Sequence, residues 1–212
     1  MKFKLFLKEA ADPKKPKKVV FAFGRMQPPT EEGHGALVKA VRGTAEAEGA
    51  DHEIVLSHTQ DHKKNPLTLD QKLGYARAMF PGTNITGASK DKPTLLHHLS
   101  RLHKAGYEHA TVVAGADRVP EYQKLLNHYN GHPDHPDLFN FKSVKVVSAG
   151  DRDPDADGAE GMSATKMREH VTNGDYASFR QGVKSLDEPT AQQMFNDVRT
   201  GMTPPVKPPK TK

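Results

Sequence analysis

The chain has 212 residues, no cysteine and a formal net charge of +5. Without cysteine, disulfides, cysteine-ligated zinc and thiol catalysis are excluded, and no apolar run approaches the roughly 18 residues of a membrane span. The basic charge belongs to the ends, because residues 1–18 contribute +5 and residues 202–212 contribute +3, which leaves −3 for residues 19–201. We therefore expect a soluble, cytoplasmic protein with one domain and two basic tails.

The first tail opens with a basic amphipathic segment, residues 1–10, which a Pro/Lys stretch follows. This segment resembles the capsid-targeting leader of internal head proteins in tailed bacteriophages. Leu7-Lys8-Glu9 has the form of the tripeptide after which their prohead protease cuts. The resemblance implies packaging in a virion and contact with phage head proteins. The other interpretations are a solvated arm, an edge strand, or a nonspecific contact with nucleic acid through the lysines.

A buried strand is predicted for residues 19–23, which are all apolar. Gly24 ends this strand, and two consecutive prolines keep the next connection extended. From Gly33 onward apolar residues recur at the spacing of a helix. A strand, a loop and a helix start form a natural anion site, because free backbone N–H groups and the helix dipole converge there. Arg25 in the loop and His34 in the first helical turn are predicted to reach a phosphate.

This stretch resembles the GRFQPFHxGH-type signature of the nucleotidyltransferase superfamily, which includes nicotinamide-mononucleotide adenylyltransferases and cytidylyltransferases. In one variant, frequent in phage members, Thr replaces the first His. The residues that match the variant are Gly24, Arg25, Gln27, Pro28, Thr30, Gly33 and His34. The spacing from Thr30 to His34 is one residue longer than in the family, and counted back from His34 the first-His position falls on Glu31. A carboxylate there is expected to repel a triphosphate.

Strands and helices alternate through the rest of the body. Further strands are predicted at residues 53–57, 110–114 and 141–148, and helices starting at Thr68, Thr94 and Ser163. This alternation predicts an α/β fold, a Rossmann-like doubly wound parallel sheet with helices on both faces. In such sheets ligands collect beyond the carboxyl ends of the strands, where Arg25, His34, the 58–65 loop and Asp117 are expected to meet.

A second motif opens the helix that follows the last strand. Ser163 is predicted to be its N-cap, and Thr165 and Arg168 are predicted to lie on one face near the positive helix end, where they can hold polyphosphate oxygens. The motif resembles the family's ISSTxxR sequence, which grips the nucleotide triphosphate. Met162 and Ala164 are mild substitutions within it. Taken together, the resemblance covers residues 18–182, between a 1–17 leader and a C-terminal helix at 183–201 with a 202–212 tail.

The resemblance implies nucleotidyl transfer from a nucleoside triphosphate, most simply ATP, to a phosphorylated acceptor such as nicotinamide mononucleotide. It also implies Mg²⁺, held mainly by the triphosphate and water. The catalytic residues would be His34, Arg25 and Arg168. The nucleotide-binding residues would be Gly24, Thr30, Gly33, Ser163, Thr165, Lys64 and Asp117. For Asp117 a helix-capping role, and for Lys64 simple solvation, are the alternatives.

The remaining patterns concern two groups of histidines and the C-terminal segment. Three histidines in the turn-rich 127–137 segment either bind a transition metal or belong to an exposed loop; they are His128, His132 and His135. Three more are expected on a helix surface, namely His97, His98 and His103. A terminal helix is predicted at 188–199, and the Pro/Lys tail should be extended. Three functional hypotheses remain: an active nucleotidyltransferase, a catalytically retired nucleotidyltransferase fold that serves as an internal virion protein, and a basic-tailed nucleic-acid-binding protein.

Overall fold

A computed structural model of the protein describes residues 16–150 and 162–204. Its strands are β1 (Lys18–Gly24), β2 (Asp51–Leu56), β3 (Ile85–Gly87), β4 (His109–Ala114) and β5 (Ser143–Ser148). Neighbouring strands all pair in parallel, in the spatial order β3-β2-β1-β4-β5. The predicted doubly wound parallel sheet is therefore confirmed. The Leu7-Lys8-Glu9 tripeptide, the acidic 151–157 stretch and the tail from residue 205 onward lie outside the described residues.

The described helices are α1 (Glu31–Glu48), α2 (Leu69–Met79), α3 (Leu95–Lys104), α4 (Val119–Tyr129), α5 (Ala164–Thr172), α6 (Tyr176–Gln181) and α7 (Glu188–Met202). The two predicted N-caps are confirmed, because the side chains of Thr68 and Ser163 each accept the backbone N–H three residues on. Thr94, predicted as a helix start, caps α3 in the same way. Such a cap stabilises a helix start by about 1 kcal/mol. In the described part of the chain, no helix combines the length and apolar character needed to cross a membrane.

Strand β1 is buried on both faces, which explains its uninterrupted apolar sequence. Val19 and Phe21 belong to the core cluster that α3 and α4 complete, whereas Val20 and Ala22 belong to the one that α1 completes. Successive side chains of a strand point to opposite faces, so the two clusters are separated by the sheet. Helices therefore cover both faces, and β1 is fixed at the centre.

Helices α5, α6 and α7 form a third core cluster with Leu67 and residues of α2. The side chains predicted to face inward from the terminal helix, Met194, Phe195 and Val198, are at most 4 % exposed. This cluster holds α5, and with it the second motif, against the loop that precedes α2. The C-terminal helix is thus packed into the domain that carries the site.

The structure corrects the expectation that His98 lies at the surface, because it is only 6 % exposed. Its Nε2 donates to the Lys92 carbonyl at 3.1 Å, and its ring stacks near Phe21 with centroids 6.4 Å apart. Burial, followed by the Arg101 charge, lowers the pKa of this imidazole. His98 falls on the apolar stripe of α3, three residues after Leu95, and this spacing was the available signal.

The segment predicted to be turn-rich begins inside a helix, since His128 occupies the last turn of α4. The rings of His128 and His132 have centroids 4.7 Å apart, and those of His132 and His135 are 5.5 Å apart. Among residues 16–150 and 162–204, no group of three His, Asp or Glu side chains is arranged to hold a metal ion.

Candidate functional site

The carboxyl ends of β1 and β4 open onto one cavity of about 630 Å³. In the sheet, β2 and β3 lie on one side of this pair of strands and β5 lies on the other. The cavity therefore lies at the topological switch point of the sheet. Eight of the ten predicted site residues line it: Gly24, Arg25, His34, Lys64, Asp117, Ser163, Thr165 and Arg168. The other two, Thr30 and Gly33, do not line the cavity and lie in the loop and helix start that carry His34.

The loop after β1 presents Arg25 to the cavity and buries the next residue. Met26 adopts a φ of 46°, in the left-handed region that costs a residue with a side chain about 1–2 kcal/mol. Its side chain is 1 % exposed, whereas Arg25 is exposed and lines the cavity. Within the described ranges the Arg25 guanidinium has no hydrogen-bond or ion-pair partner. It is therefore available to an anionic ligand.

Gln27 joins three parts of the site. Its buried side-chain amide pairs with the backbone of Leu67, since Oε1 accepts the Leu67 N–H and Nε2 donates to the Leu67 carbonyl, both at 2.9 Å. Its own carbonyl accepts Nη1 of Arg168 at 2.6 Å. Gln27 thus links the first loop, the loop before α2 and helix α5. The sequence motif included this glutamine, but gave no indication of this linking role.

Thr30 orients the imidazole of His34. The backbone N–H of Thr30 donates to Nδ1 of His34 at 3.0 Å, and the Thr30 hydroxyl lies 3.0 Å from the same nitrogen. Because a backbone N–H can only donate, Nδ1 is an acceptor, and the proton of the neutral ring is on Nε2. A side chain at Gly33 would place its Cβ 3.0 Å from the Thr30 hydroxyl. Thr30 therefore affects the site by orienting His34, and Gly33 does so by leaving room for the Thr30 hydroxyl.

The extra residue in the first motif does not put a carboxylate into the cavity. Glu31 begins α1, where its N–H donates to the Gly182 carbonyl at 2.8 Å and its carboxylate accepts the Ser185 N–H at 2.9 Å. Neither Glu31 nor Glu32 lines the cavity. The position expected to repel a triphosphate thus faces the segment after α6.

For the expected nucleotide substrate, this placement predicts that Glu31→Gln changes KM by no more than about twofold, as for a substitution outside a site. Glutamine keeps an acceptor for the Ser185 amide, so the fold is retained. Steady-state kinetics over a range of nucleotide concentrations measures the effect. A KM that fell tenfold would mean that the carboxylate does oppose the triphosphate.

The second motif contributes a fixed guanidinium. Nη2 of Arg168 donates to the Thr165 hydroxyl at 3.1 Å, which confirms that both side chains share one face at the start of α5. Ser163 accepts the Lys166 N–H at 3.2 Å as the helix cap. Burial, followed by the nearby Arg25 charge, lowers the pKa of Arg168. A guanidinium nevertheless stays protonated, so two arginines with unfavourable mutual charge lie beside the same cavity.

The loop between β2 and α2 places Lys64 at the cavity. The Asp61 carboxylate accepts the backbone N–H groups of Lys64 at 2.7 Å and Lys63 at 2.8 Å, and it also bonds the Asn65 side chain. These bonds, that of Lys64 foremost, hold the pKa of Asp61 far below its ordinary value. The loop is therefore ordered by its own carboxylate, while the Lys64 side chain lines the cavity.

The opposite wall follows β4. Asp117 lines the cavity from the 3-10 turn Ala116–Arg118, and its carboxylate lies 3.7 Å from Nε of Arg118. No capping bond from Asp117 is present at that turn or at α4, so the capping alternative is not observed. Tyr122 and Phe23 add aromatic side chains to this wall. Burial raises the pKa of the Tyr122 phenol. This wall can hold a flat ring.

Lys72 is a buried ammonium that sequence analysis did not identify. It is 0 % exposed on α2, and its Nζ donates to the Ser57 carbonyl at 2.5 Å. Burial, followed by the Arg25 charge, lowers the pKa of Lys72 to about 8. Ser57 itself lines the cavity, and its hydroxyl has no partner within the described residues. The only sequence signal was a lysine on the inner face of the α2 pattern, three residues after Leu69.

The lowered pKa predicts that Lys72 makes stability rise with pH. Between about pH 8 and the ordinary lysine value near 10.5, the unfolded chain binds a proton that the folded chain does not, so the free energy of unfolding increases. From about pH 7.5 to about 9.5 the gain should be about 2 kcal/mol, and Lys72→Met should lack it. Urea unfolding of both proteins at the two pH values measures the difference. A difference that stayed constant would contradict the prediction.

The lining as a whole favours a polyanion. Its cationic side chains are those of Arg25, Lys64, Arg118 and Arg168, with His34 beside them. Asp117 is the one carboxylate among the described lining residues. A cleft lined by one sign of charge focuses the field and concentrates ligands of the opposite sign. The cavity therefore suits phosphate groups at one part of its wall and an aromatic ring at another.

Comparison with known proteins does not assign the chain to a family. No protein-family model matches the sequence, and neither does any curated protein. Membership of the nucleotidyltransferase superfamily stays a prediction from the two motifs, and the function is inferred from the cavity and its residues.

Proposed function

We propose that the protein is a nucleotidyltransferase that transfers a nucleoside monophosphate, most simply the adenylyl group of ATP, to a phosphorylated small molecule such as nicotinamide mononucleotide. One observation carries the proposal. Arg168 of the second motif donates to the backbone carbonyl of Gln27 in the first motif, across 141 positions of sequence. The two motifs therefore build one wall of one cavity, which is what a site for a single triphosphate requires.

In this reaction an oxygen of the acceptor phosphate attacks the α-phosphorus of the triphosphate. The new P–O bond forms as the bond from the α-phosphorus to the bridging oxygen breaks, and pyrophosphate leaves with the electron pair. His34, oriented through Nδ1 by Thr30, would donate from Nε2 to a phosphate oxygen as charge builds up. Arg25 and Arg168 would neutralise the polyphosphate. Positioning and charge stabilisation of this kind supply most of the rate in phosphoryl chemistry.

The proposed reaction uses Mg²⁺, and the lining residues fit an ion that arrives with the nucleotide. The described lining offers one carboxylate, Asp117, and no group of three acidic or histidine ligands is present among the described residues. Mg²⁺ keeps several waters and commonly binds proteins through one or two carboxylates plus substrate phosphates. When bound, the ion would supply charge neutralisation at the triphosphate.

Pyrophosphate release by the purified full-length protein tests the proposal. ATP and CTP are each combined with Mg²⁺ and a panel of phosphorylated acceptors that includes nicotinamide mononucleotide. Release that requires one nucleotide together with one acceptor would support the proposal and name the substrates. Silence across the panel, combined with absent nucleotide binding, would instead favour a retired fold that serves as a virion component.

A further inference from the structure

A buried cation lies beneath the floor of the cavity, where no sequence motif placed one. Lys72 is fully buried, and the carbonyl of cavity-lining Ser57 is its one hydrogen-bond acceptor in the described part of the chain. An ammonium has three N–H donors, and one of them has an acceptor among the described residues. The Ser57 hydroxyl beside it is unpartnered within the described ranges.

No described carboxylate compensates this charge. The one charged group that interacts with Lys72 in the described residues is Arg25, from the loop after β1, and it is of like sign. From the loop after β2, Asp61 is occupied by backbone N–H groups of its own turn. From α7, Asp197 accepts the hydroxyl of Tyr75 at 2.6 Å, one turn along α2. The fold therefore keeps an unpaired buried ammonium next to an unpaired arginine.

Such an arrangement is costly, because a buried charge is destabilising unless it is paired. An anion in the cavity would offset the cost for Lys72 and Arg25 together. We infer that Lys72 is an electrostatic determinant of ligand binding, whose buried positive charge strengthens the attachment of a nucleotide's polyphosphate without touching it. The inference rests on the proposed function in one respect, namely that the cavity binds a polyphosphate.

Binding and protonation at Lys72 must then be coupled. If the bound polyphosphate favours the protonated amine, protonation favours binding by the same factor, because coupling between two sites is reciprocal. The amine of the free protein loses its proton near pH 8. Affinity for the nucleotide should therefore fall by about fivefold between about pH 7.5 and about pH 9. The triphosphate of ATP holds a nearly constant charge over this interval.

Isothermal titration calorimetry with α,β-methylene-ATP, an analogue that resists transfer, tests the inference on the full chain. The wild type should lose affinity about fivefold from the lower to the higher pH. Lys72→Met should bind more weakly than the wild type at the lower pH and show no loss with pH. Lys72→Arg, which stays charged, should restore tighter binding at both pH values. A merely structural lysine would not produce this pattern of pH dependence.

Lys64→Met is the matched control, because it removes a lysine that lines the same cavity but is exposed. It should weaken binding at both pH values and keep the fivefold loss. Thermal unfolding establishes that each variant is folded at both pH values. Wild-type affinity that did not change with pH, with Lys72→Met binding as tightly as the wild type, would overturn the role of Lys72 alone. Absence of any binding by the wild type would overturn the nucleotide site itself.

Discussion

Replacing His34 with alanine is expected to lower kcat by about 10²–10³-fold, the usual cost of removing one preorganised donor to a developing negative charge. The imidazole lines the cavity, and Thr30 fixes its orientation through Nδ1. The substitution should therefore mainly destabilise the transition state, with a smaller change in KM for ATP. Pyrophosphate release under saturating substrates measures kcat directly.

His97→Ala provides the matched control for this prediction. His97 is an exposed histidine on α3 and does not line the cavity, so its replacement should leave kcat unchanged within about twofold. Circular dichroism establishes that both variants keep the wild-type fold. If His34→Ala and His97→Ala turned over at the same rate, His34 would have no catalytic role.

Replacing Arg168 with alanine is expected to lower kcat/KM for the nucleotide by about 10²–10³-fold. The change removes a guanidinium from the cavity wall and breaks its bonds to the Gln27 carbonyl and the Thr165 hydroxyl. Losing a charged group from a preorganised site costs about 3–4 kcal/mol. Both KM and kcat should change, because the charge acts on bound substrate and transition state.

Arg168→Lys separates charge from geometry. Lysine keeps the positive charge but cannot reproduce the two-pronged geometry that reaches Gln27 and Thr165 together, so its rate should fall between those of the wild type and Arg168→Ala. Arg42→Ala, on the exposed side of α1, is the control for loss of an arginine. Equal rates for Arg168→Ala and Arg42→Ala would show that the second motif does not hold the nucleotide.

The central sheet could be predicted because its strands are apolar on both faces. The run at residues 19–23 lies inside β1, and the run at 110–114 lies inside β4. Strand β3 was missed because three residues, of which only Ile85 is buried, are too short for any periodicity. Helix α4 was missed for another reason. It begins with Pro120 in its first turn, a position that favours helix starts although proline breaks helices elsewhere.

The site residues could be predicted where a local sequence motif places them. They could not be predicted where their position depends on tertiary packing. Ser163, Thr165 and Arg168 follow from a helix start, and the structure places them together. The bond from Arg168 to Gln27 depends on how α5 packs, which no local pattern encodes. Lys72 was missed because a lysine is ordinarily read as exposed, and only the packing of α2 against the sheet shows that it is buried.

The proposed reaction transfers the adenylyl group of ATP, with its α-phosphate, to an acceptor bound in the same cavity. Incubation with ATP radiolabelled at the α-phosphate, Mg²⁺ and nicotinamide mononucleotide, followed by chromatography, tests this most directly. We expect the label to appear in a dinucleotide formed by the wild type and not by His34→Ala, and we expect γ-labelled ATP to give labelled pyrophosphate. If nicotinamide mononucleotide and the other acceptors tested stayed unlabelled while γ-labelled ATP gave only inorganic phosphate, the protein would be a hydrolase and not a nucleotidyltransferase.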